Sequence, residues 1–145
     1  MKVLVVGYGS MGRRRIRLFK QIEKDAQFIC VDSNPERIKQ IKEDGYTAYT
    51  DLNEALKENP DYAFVSTSPL SHAAIIPILL QNKINTFTEI NLSSKNYDEM
   101  ICLAKENDVK LFLSSTMIYK KQIQKIKNLV QKETQPLTYI YHTKS

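Results

Sequence analysis

KVLVVGYGSMGRRRI, residues 2 to 16, decides the fold. Residues 2 to 6 are mostly β-branched and apolar, the composition of a strand buried on both faces. The glycines of GYGSMG, residues 7 to 12, then follow the spacing G-x-G-x-x-G. Between a strand and a helix each glycine has its own task. Gly7 makes the tight turn, Gly9 lets a phosphate group approach the backbone, and Gly12 lets helix and strand pack closely. Ser10 and Met11 open the helix, whose N-terminus offers free amides and a partial positive charge. Twenty residues beyond Gly12, after the second apolar run QFICV (27 to 31), stands Asp32. An acid there hydrogen-bonds the ribose hydroxyls of an adenosine. A lone glycine motif is weak, but strand, glycines, helix and acid in this order predict a bound dinucleotide.

The same acid bears on which dinucleotide is bound. A carboxylate at position 32 repels the 2′-phosphate of NADP, which favours NAD. Ser33 and Arg37 keep NADP open, since a hydroxyl and a guanidinium suit a phosphate. Arg13, Arg14, Arg15 and Arg17 are spread round the first helix. They are expected to point mostly to solvent, with only Arg13 close enough to the motif to reach phosphate.

Outward from this unit, strand-like and helix-like segments alternate almost to the end, as βαβ units round a parallel sheet do. Further strands are expected at 62 to 66, 85 to 90 and 109 to 114, and a weaker one at 46 to 49 suits an edge, making six. Asn34, Pro35 and Glu36 predict a helix start, and Gly45 its left-handed end. Asp51 with Glu54, and Asn96 with Glu99, have capping-box spacing. Residues 71 to 82 are apolar nearly all round, which predicts a buried helix, kinked at Pro77. Tyr119, Ile123, Ile126 and Val130 form one stripe of a lysine-coated helix, which wants a partner surface. LTYIYHT (137 to 143) has the composition of a seventh strand. The expected fold is thus a doubly wound α/β Rossmann domain over residues 1 to 117. Residues 118 to 145 form a helix and one extra strand, the start of a second domain.

Composition excludes other classes. The chain of 145 residues carries 21 basic and 16 acidic side chains. The excess falls in 118 to 145, where six lysines face Glu133 alone. No interleaved aromatic and basic surface accompanies them, so a nucleic-acid partner is not expected. No run approaches the roughly 20 apolar residues of a membrane span, and the first residues read as a strand rather than a signal peptide. Cys30 and Cys102 lie far apart without ligand neighbours, which argues against a metal and for core thiols in a reducing cytoplasm.

GYGSMGRRRI, CVDSNPER, VSTSPLSHAAI and FTEINLS, taken in this order, resemble the N-terminal domain of the glucose-fructose oxidoreductase, inositol dehydrogenase and MocA (Gfo/Idh/MocA) family, over about residues 1 to 135. The resemblance implies that Thr67, Ser68, Pro69 and His72 line the cofactor. Independently, that loop lies at the carboxyl end of a strand, where open α/β sheets bind ligands, while His72 could equally be a satisfied first-turn helix residue. Glu89 carries over as a cofactor contact. The family's next residues are lysine and proline, and its lysine sits beside the nicotinamide and the reacting carbon. Here they are Ile90 and Asn91, and isoleucine cannot tune a proton transfer. The family's substrate pocket and proton-relaying histidine come from a second domain, and His142 near the end of this chain is no substitute for them. No catalytic residue is therefore assigned.

The resemblance implies hydride transfer at a secondary alcohol of a sugar, cyclitol or nucleotide sugar, with the substrate held only in a complete enzyme. Rival readings are a non-catalytic NAD-binding module and a basic nucleic-acid-associated protein that keeps the fold but not the ligand. An unpaired strand at 137 to 143 invites weak self-association through residues 118 to 145.

Overall fold

The computed structural model describes residues 1–89, 96–135 and 138, apart from the side chains of Thr116 and Met117. Two compact units divide at Ser114 and Ser115. In the first, six parallel strands lie in the order β3-β2-β1-β4-β5-β6. They are β1 (Lys2–Val6), β2 (Gln27–Val31), β3 (Thr47–Tyr49), β4 (Tyr62–Val65), β5 (Asn85–Glu89) and β6 (Leu111–Ser114). The weak third strand is an edge, as its composition suggested. β1 is central, paired in register with β2 from Lys2↔Gln27 and with β4 from Val3↔Tyr62.

Alternation along the strands builds a core on each face. Val3 and Val5 turn to one side with Phe28 and Cys30, under Ile16 of α1 (Ser10–Phe19) and Ile41 of α2 (Pro35–Glu43). Leu4 and Val6 turn to the other with Ile29, Val31, Ala63 and Val65. There they meet α3 (Leu52–Leu56), α4 (Pro69–Gln81) and α5 (Tyr97–Glu106). On the first face, Phe64, Phe87 and Phe112 run ring against ring across β4, β5 and β6. Phe112 remains exposed.

Two expected caps are present and one is replaced. Asn34 Oδ1 accepts from the amides of Glu36 and Arg37, and Asp51 Oδ1 accepts from that of Glu54. The reciprocal half of the Asp51 box is not made, because Glu54 turns to Lys57. Gly45 has the positive φ expected past a helix end. Asn96 does not cap α5 with its side chain. Its Nδ2 donates instead to the Ala73 carbonyl at 3.2 Å. That carbonyl lies four residues before Pro77, the acceptor that a proline ring leaves without its helical donor. α4 runs through Pro77, with His72, Ile76, Leu79 and Leu80 buried.

In the second unit a 3-10 turn (Thr116–Tyr119) precedes α6 (Lys121–Val130). Tyr119 thus falls outside the α-helix, and the expected stripe is broken. Ile123 and Ile126 are half-buried, whereas Tyr119 and Val130 are exposed. The strand expected at 137 to 143 lies, apart from Thr138, outside the described residues, as do Ile90, Asn91 and His142. Among the described residues no helix is long and apolar enough to cross a membrane.

Candidate dinucleotide site

A cavity of about 760 Å³ opens where the carboxyl ends of β1, β2, β3 and β4 meet. The strand order reverses between β1 and β4, and ligands of open α/β sheets bind at such a switch point. The cavity size suits a small-molecule ligand. Gly7, Gly9, Ser10 and Met11 line it after β1, Asp32 and Ser33 after β2, and Thr67 and Ser68 after β4. Arg37, Thr50, Asp51, Leu52, Ser66, Ser71 and Ile75 complete most of the wall.

The glycine turn is stereochemically committed. Gly7 has φ +95°, and a Cβ there would stand 2.9 Å from the Ser66 backbone. Gly12 does not face the cavity. A Cβ on it would lie 2.1 Å from the Gly7 carbonyl oxygen, so its role is the close approach of α1 to β1. Gly9 is different, since a Cβ there meets nothing nearer than the Arg37 guanidinium at 3.9 Å.

Asp32 is buried and anchored by backbone. Its Oδ2 accepts from the Tyr8 amide at 2.7 Å, and its Oδ1 from the Asn34 amide at 2.9 Å. Arg37 Nη1 donates to Oδ2 at 3.2 Å from a half-exposed side chain. A carboxylate has about four acceptor positions, and the described residues fill three of them. The phenol of Tyr8 points away to Asp44 at 2.6 Å. Burial first, and that bond second, push its pKa well above the usual range.

The loop after β4 is braced from both faces of the sheet. His72 lies buried at the start of α4, with Nε2 3.2 Å from the Thr67 carbonyl and Nδ1 3.3 Å from Thr88 Oγ1. A carbonyl only accepts, so the first contact needs the proton on Nε2; the Thr88 hydroxyl also lies 3.3 Å from the Glu89 carbonyl, to which it donates. His72 and Pro69 thus stand behind the loop rather than in the cavity wall. From the α1 face comes Arg15, which is buried instead of solvated. Its Nη1 donates to the Val65 carbonyl at 2.6 Å and to Ser66 Oγ at 2.7 Å. Its Nη2 meets Glu89 Oε1 at 2.8 Å. Burial lowers the guanidinium pKa, and the Glu89 charge opposes that shift. Glu89 is therefore held beside the β4 loop without lining the cavity. Arg13 is exposed and lies near Tyr8, Asp44 and Tyr46, away from the cavity.

Helical spacing was the signal that marks Arg15. Gly12, Arg15, Ile16 and Phe19 stand at i, i+3, i+4 and i+7, the stripe facing the sheet. The Thr50 to Leu52 wall carries no sequence signal for a site, Asp51 reading there only as a helix cap, and is brought in by the short edge strand.

A doubly wound parallel sheet with this turn and carboxylate at its switch point defines a dinucleotide-binding Rossmann domain. The profile of an oxidoreductase family with an NAD-binding Rossmann fold, Gfo/Idh/MocA, matches residues 1–115. The chain belongs to that family. It is 26% identical over 139 residues to the myo-inositol 2-dehydrogenase of Thermotoga maritima, covering 92% of this chain and 42% of that protein. A probable dehydrogenase from Thermotoga maritima superimposes with a TM-score of 0.76 at 26% identity, over 90% of this chain and 41% of that one. The WlbA dehydrogenase from Bordetella pertussis, solved in complex with NADH and UDP-GlcNAcA, does so at 0.79 with 20% identity, over 90% and 42%. The chain thus spans about two fifths of the length of these relatives.

Proposed function

We propose that this chain is the NAD-holding part of an oxidoreductase whose complete form acts on a secondary alcohol of a sugar, cyclitol or nucleotide sugar. The observation that carries the cofactor reading is Asp32, anchored by two backbone amides inside the switch-point cavity and beside the glycine turn. Bound there, a nicotinamide would supply the acceptor or donor of a hydride. The residues of this chain bind and orient it. Asp32 takes a ribose hydroxyl, for which the half-exposed Arg37 is the displaceable partner. Gly9 and the first turn of α1 face the pyrophosphate.

NAD is preferred over NADP because the carboxylate is fixed by the main chain, whereas the neutralising guanidinium belongs to a half-exposed side chain. Ligand at a hundredfold excess over its dissociation constant stabilises the fold by about 2.7 kcal/mol. NADH is therefore expected to raise the melting temperature more than NADPH at equal concentration, and Asp32→Ser to narrow the difference. A larger shift with NADPH overturns the assignment of Asp32.

The substrate reading is supported by the sugar-directed relatives and concerns the complete enzyme. A second reading, a binding module without a reaction, is favoured by Ile90 in place of the family lysine. In either case the isolated chain is expected to produce no NADH from polyols or sugars. Steady production that is lost on changing Asp32 would refute this. Weak self-association through residues 118 to 145 belongs to the same proposal. Light scattering on the full chain and on one ending at Pro136 tests it, and two equally monomeric samples would remove it.

A further inference from the structure

β4 and β5 stop pairing before their neighbours do. Their last register pair is Phe64↔Phe87, whereas β1 stays with β4 to Val6↔Val65 and β5 with β6 to Glu89↔Ser114. Beyond Phe64 and Phe87 the two strand ends therefore lack the ladder that holds every other neighbouring pair at this end of the central sheet. The Arg15 guanidinium takes its place. It binds the Val65 carbonyl and the Ser66 hydroxyl on the β4 side and the Glu89 carboxylate on the β5 side, and it lies 5.0 Å from the centre of the Phe87 ring. All these partners belong to β4, β5 or the residue just after β4. Asp32 and Arg37, by contrast, lie just after β2 and on α2, on the other side of the switch point.

We propose that Arg15 is a positioning residue for the nicotinamide half of the site, setting the Ser66 to Ser68 wall and Glu89 without touching the adenosine half. The proposal rests on the dinucleotide reading above. A dinucleotide straddles the switch point, with its adenosine at the second-strand acid and its pyrophosphate at the glycine turn. The other nucleoside must then lie over the ends of β4 and β5, where Arg15 is the tie. A planar fork with several fixed donors can serve a carbonyl, a hydroxyl and a carboxylate together, which a lysine ammonium on a flexible stem does poorly. Burial of the charge makes the arrangement costly unless all three acceptors stay in place. The Ser66 hydroxyl and the Glu89 carboxylate are thereby held in one fixed relation.

The test compares two ligands on the full chain. NADH spans both halves of the site, while ADP reaches only the adenosine and pyrophosphate parts. Binding is measured by nicotinamide fluorescence for NADH and by calorimetry for ADP, on the wild type, Arg15→Met, Arg15→Lys and Glu89→Gln. Expected is a loss of NADH affinity of about tenfold or more in Arg15→Met, the scale on which an unfixed binding wall costs affinity, with ADP affinity within about twofold. Arg15→Lys should recover only part of the loss, and Glu89→Gln should weaken NADH selectively but less. Equal loss of both ligands, or no loss of NADH, overturns the proposal. If Arg15→Met does not fold, the same criterion applied to Arg15→Lys and Glu89→Gln decides. A wild type that binds neither NADH nor ADP overturns the dinucleotide reading itself, and Arg15 then has no site to position.

Discussion

Gly9 and Gly12 stand three residues apart in one motif, yet a methyl group at each should fail for opposite reasons. At Gly12 the added Cβ would sit 2.1 Å from the Gly7 carbonyl oxygen and 3.2 Å from the Gly7 carbonyl carbon. An ordinary contact needs roughly 3.4 Å, so α1 must retreat from β1 by about 1 Å, against a core packed too densely to yield cheaply. Gly12→Ala should therefore cost several kcal/mol, about 3 or more, in the range reserved for a backbone clash or overpacking. At Gly9 the Cβ has 3.9 Å of clearance, φ is an ordinary −73°, and the residue caps α1 without a side-chain bond. Gly9→Ala should change stability by less than about 1 kcal/mol, since a poorer cap is offset by a less flexible unfolded chain. The new methyl lies on the cavity side, toward Arg37. It should therefore abolish the stabilisation by NADH, about 2.7 kcal/mol at a hundredfold excess, or roughly 5 to 11 °C in melting temperature for a chain of this size. Thermal melts of both variants with and without NADH make the comparison. A Gly9→Ala protein that keeps the full NADH shift, or a Gly12→Ala protein as stable as the wild type, would refute this division of labour.

Three further outcomes follow from packing and charge. If Asn96 replaces the helical donor that Pro77 lacks, Asn96→Gly should cost about 1 kcal/mol in the native background. It should cost less with Pro77→Ala, and strict additivity in that double-mutant cycle would break the link. Burial first, and the Asp44 carboxylate second, push the Cys30 thiol up to about 12. Its neutral form thus adds stability that is complete below the unfolded thiol pKa of about 8.5 and is lost as pH climbs toward the folded value. Cys102 alone should then react with a disulfide reagent in the native protein at pH 8, and equal native reaction of both thiols would contradict the burial of Cys30. The Tyr49 hydroxyl, and then Lys2, hold the Glu58 carboxyl below its ordinary range. That contribution is present above about pH 4.3 and disappears as acid protonates the group. Glu58→Gln should accordingly flatten the acid limb of the stability curve, and an unchanged limb would count against it.

Periodicity made the sheet legible because a doubly wound fold buries its strands on both faces, so Val3 to Val6 and Phe28 to Val31 read as continuous apolar runs. Caps at Asn34 and Asp51 were legible because a short polar side chain needs only local backbone. Asn96 was misread for a reason that no local pattern contains: its partner is a carbonyl 23 residues earlier, freed by a proline in another helix. Arg15 was not legible because its charge points to solvent while its helical phase points to the sheet. Its burial depends on β4 and β5 separating just where its side chain arrives. At the site, Gly7, Gly9 and Asp32 were legible as one spaced motif. The position of His72 behind the loop depends on the tertiary contact with Thr88, and either role was compatible with its place in the sequence.

The central place of β1 also has a consequence for synthesis. The strand leaves the ribosome before either of its partners, which begin at Gln27 on one side and at Tyr62 on the other. At roughly 5 to 20 residues per second, the gap between Val3 and Tyr62 corresponds to about 3 to 12 s. Through that interval KVLVV can have at most one of its two native neighbours, and an apolar strand with an open edge is what holding chaperones and aggregation compete for. The arginines that follow at positions 13, 14, 15 and 17 place positive charge beside this segment while it waits, which disfavours its pairing with other nascent copies.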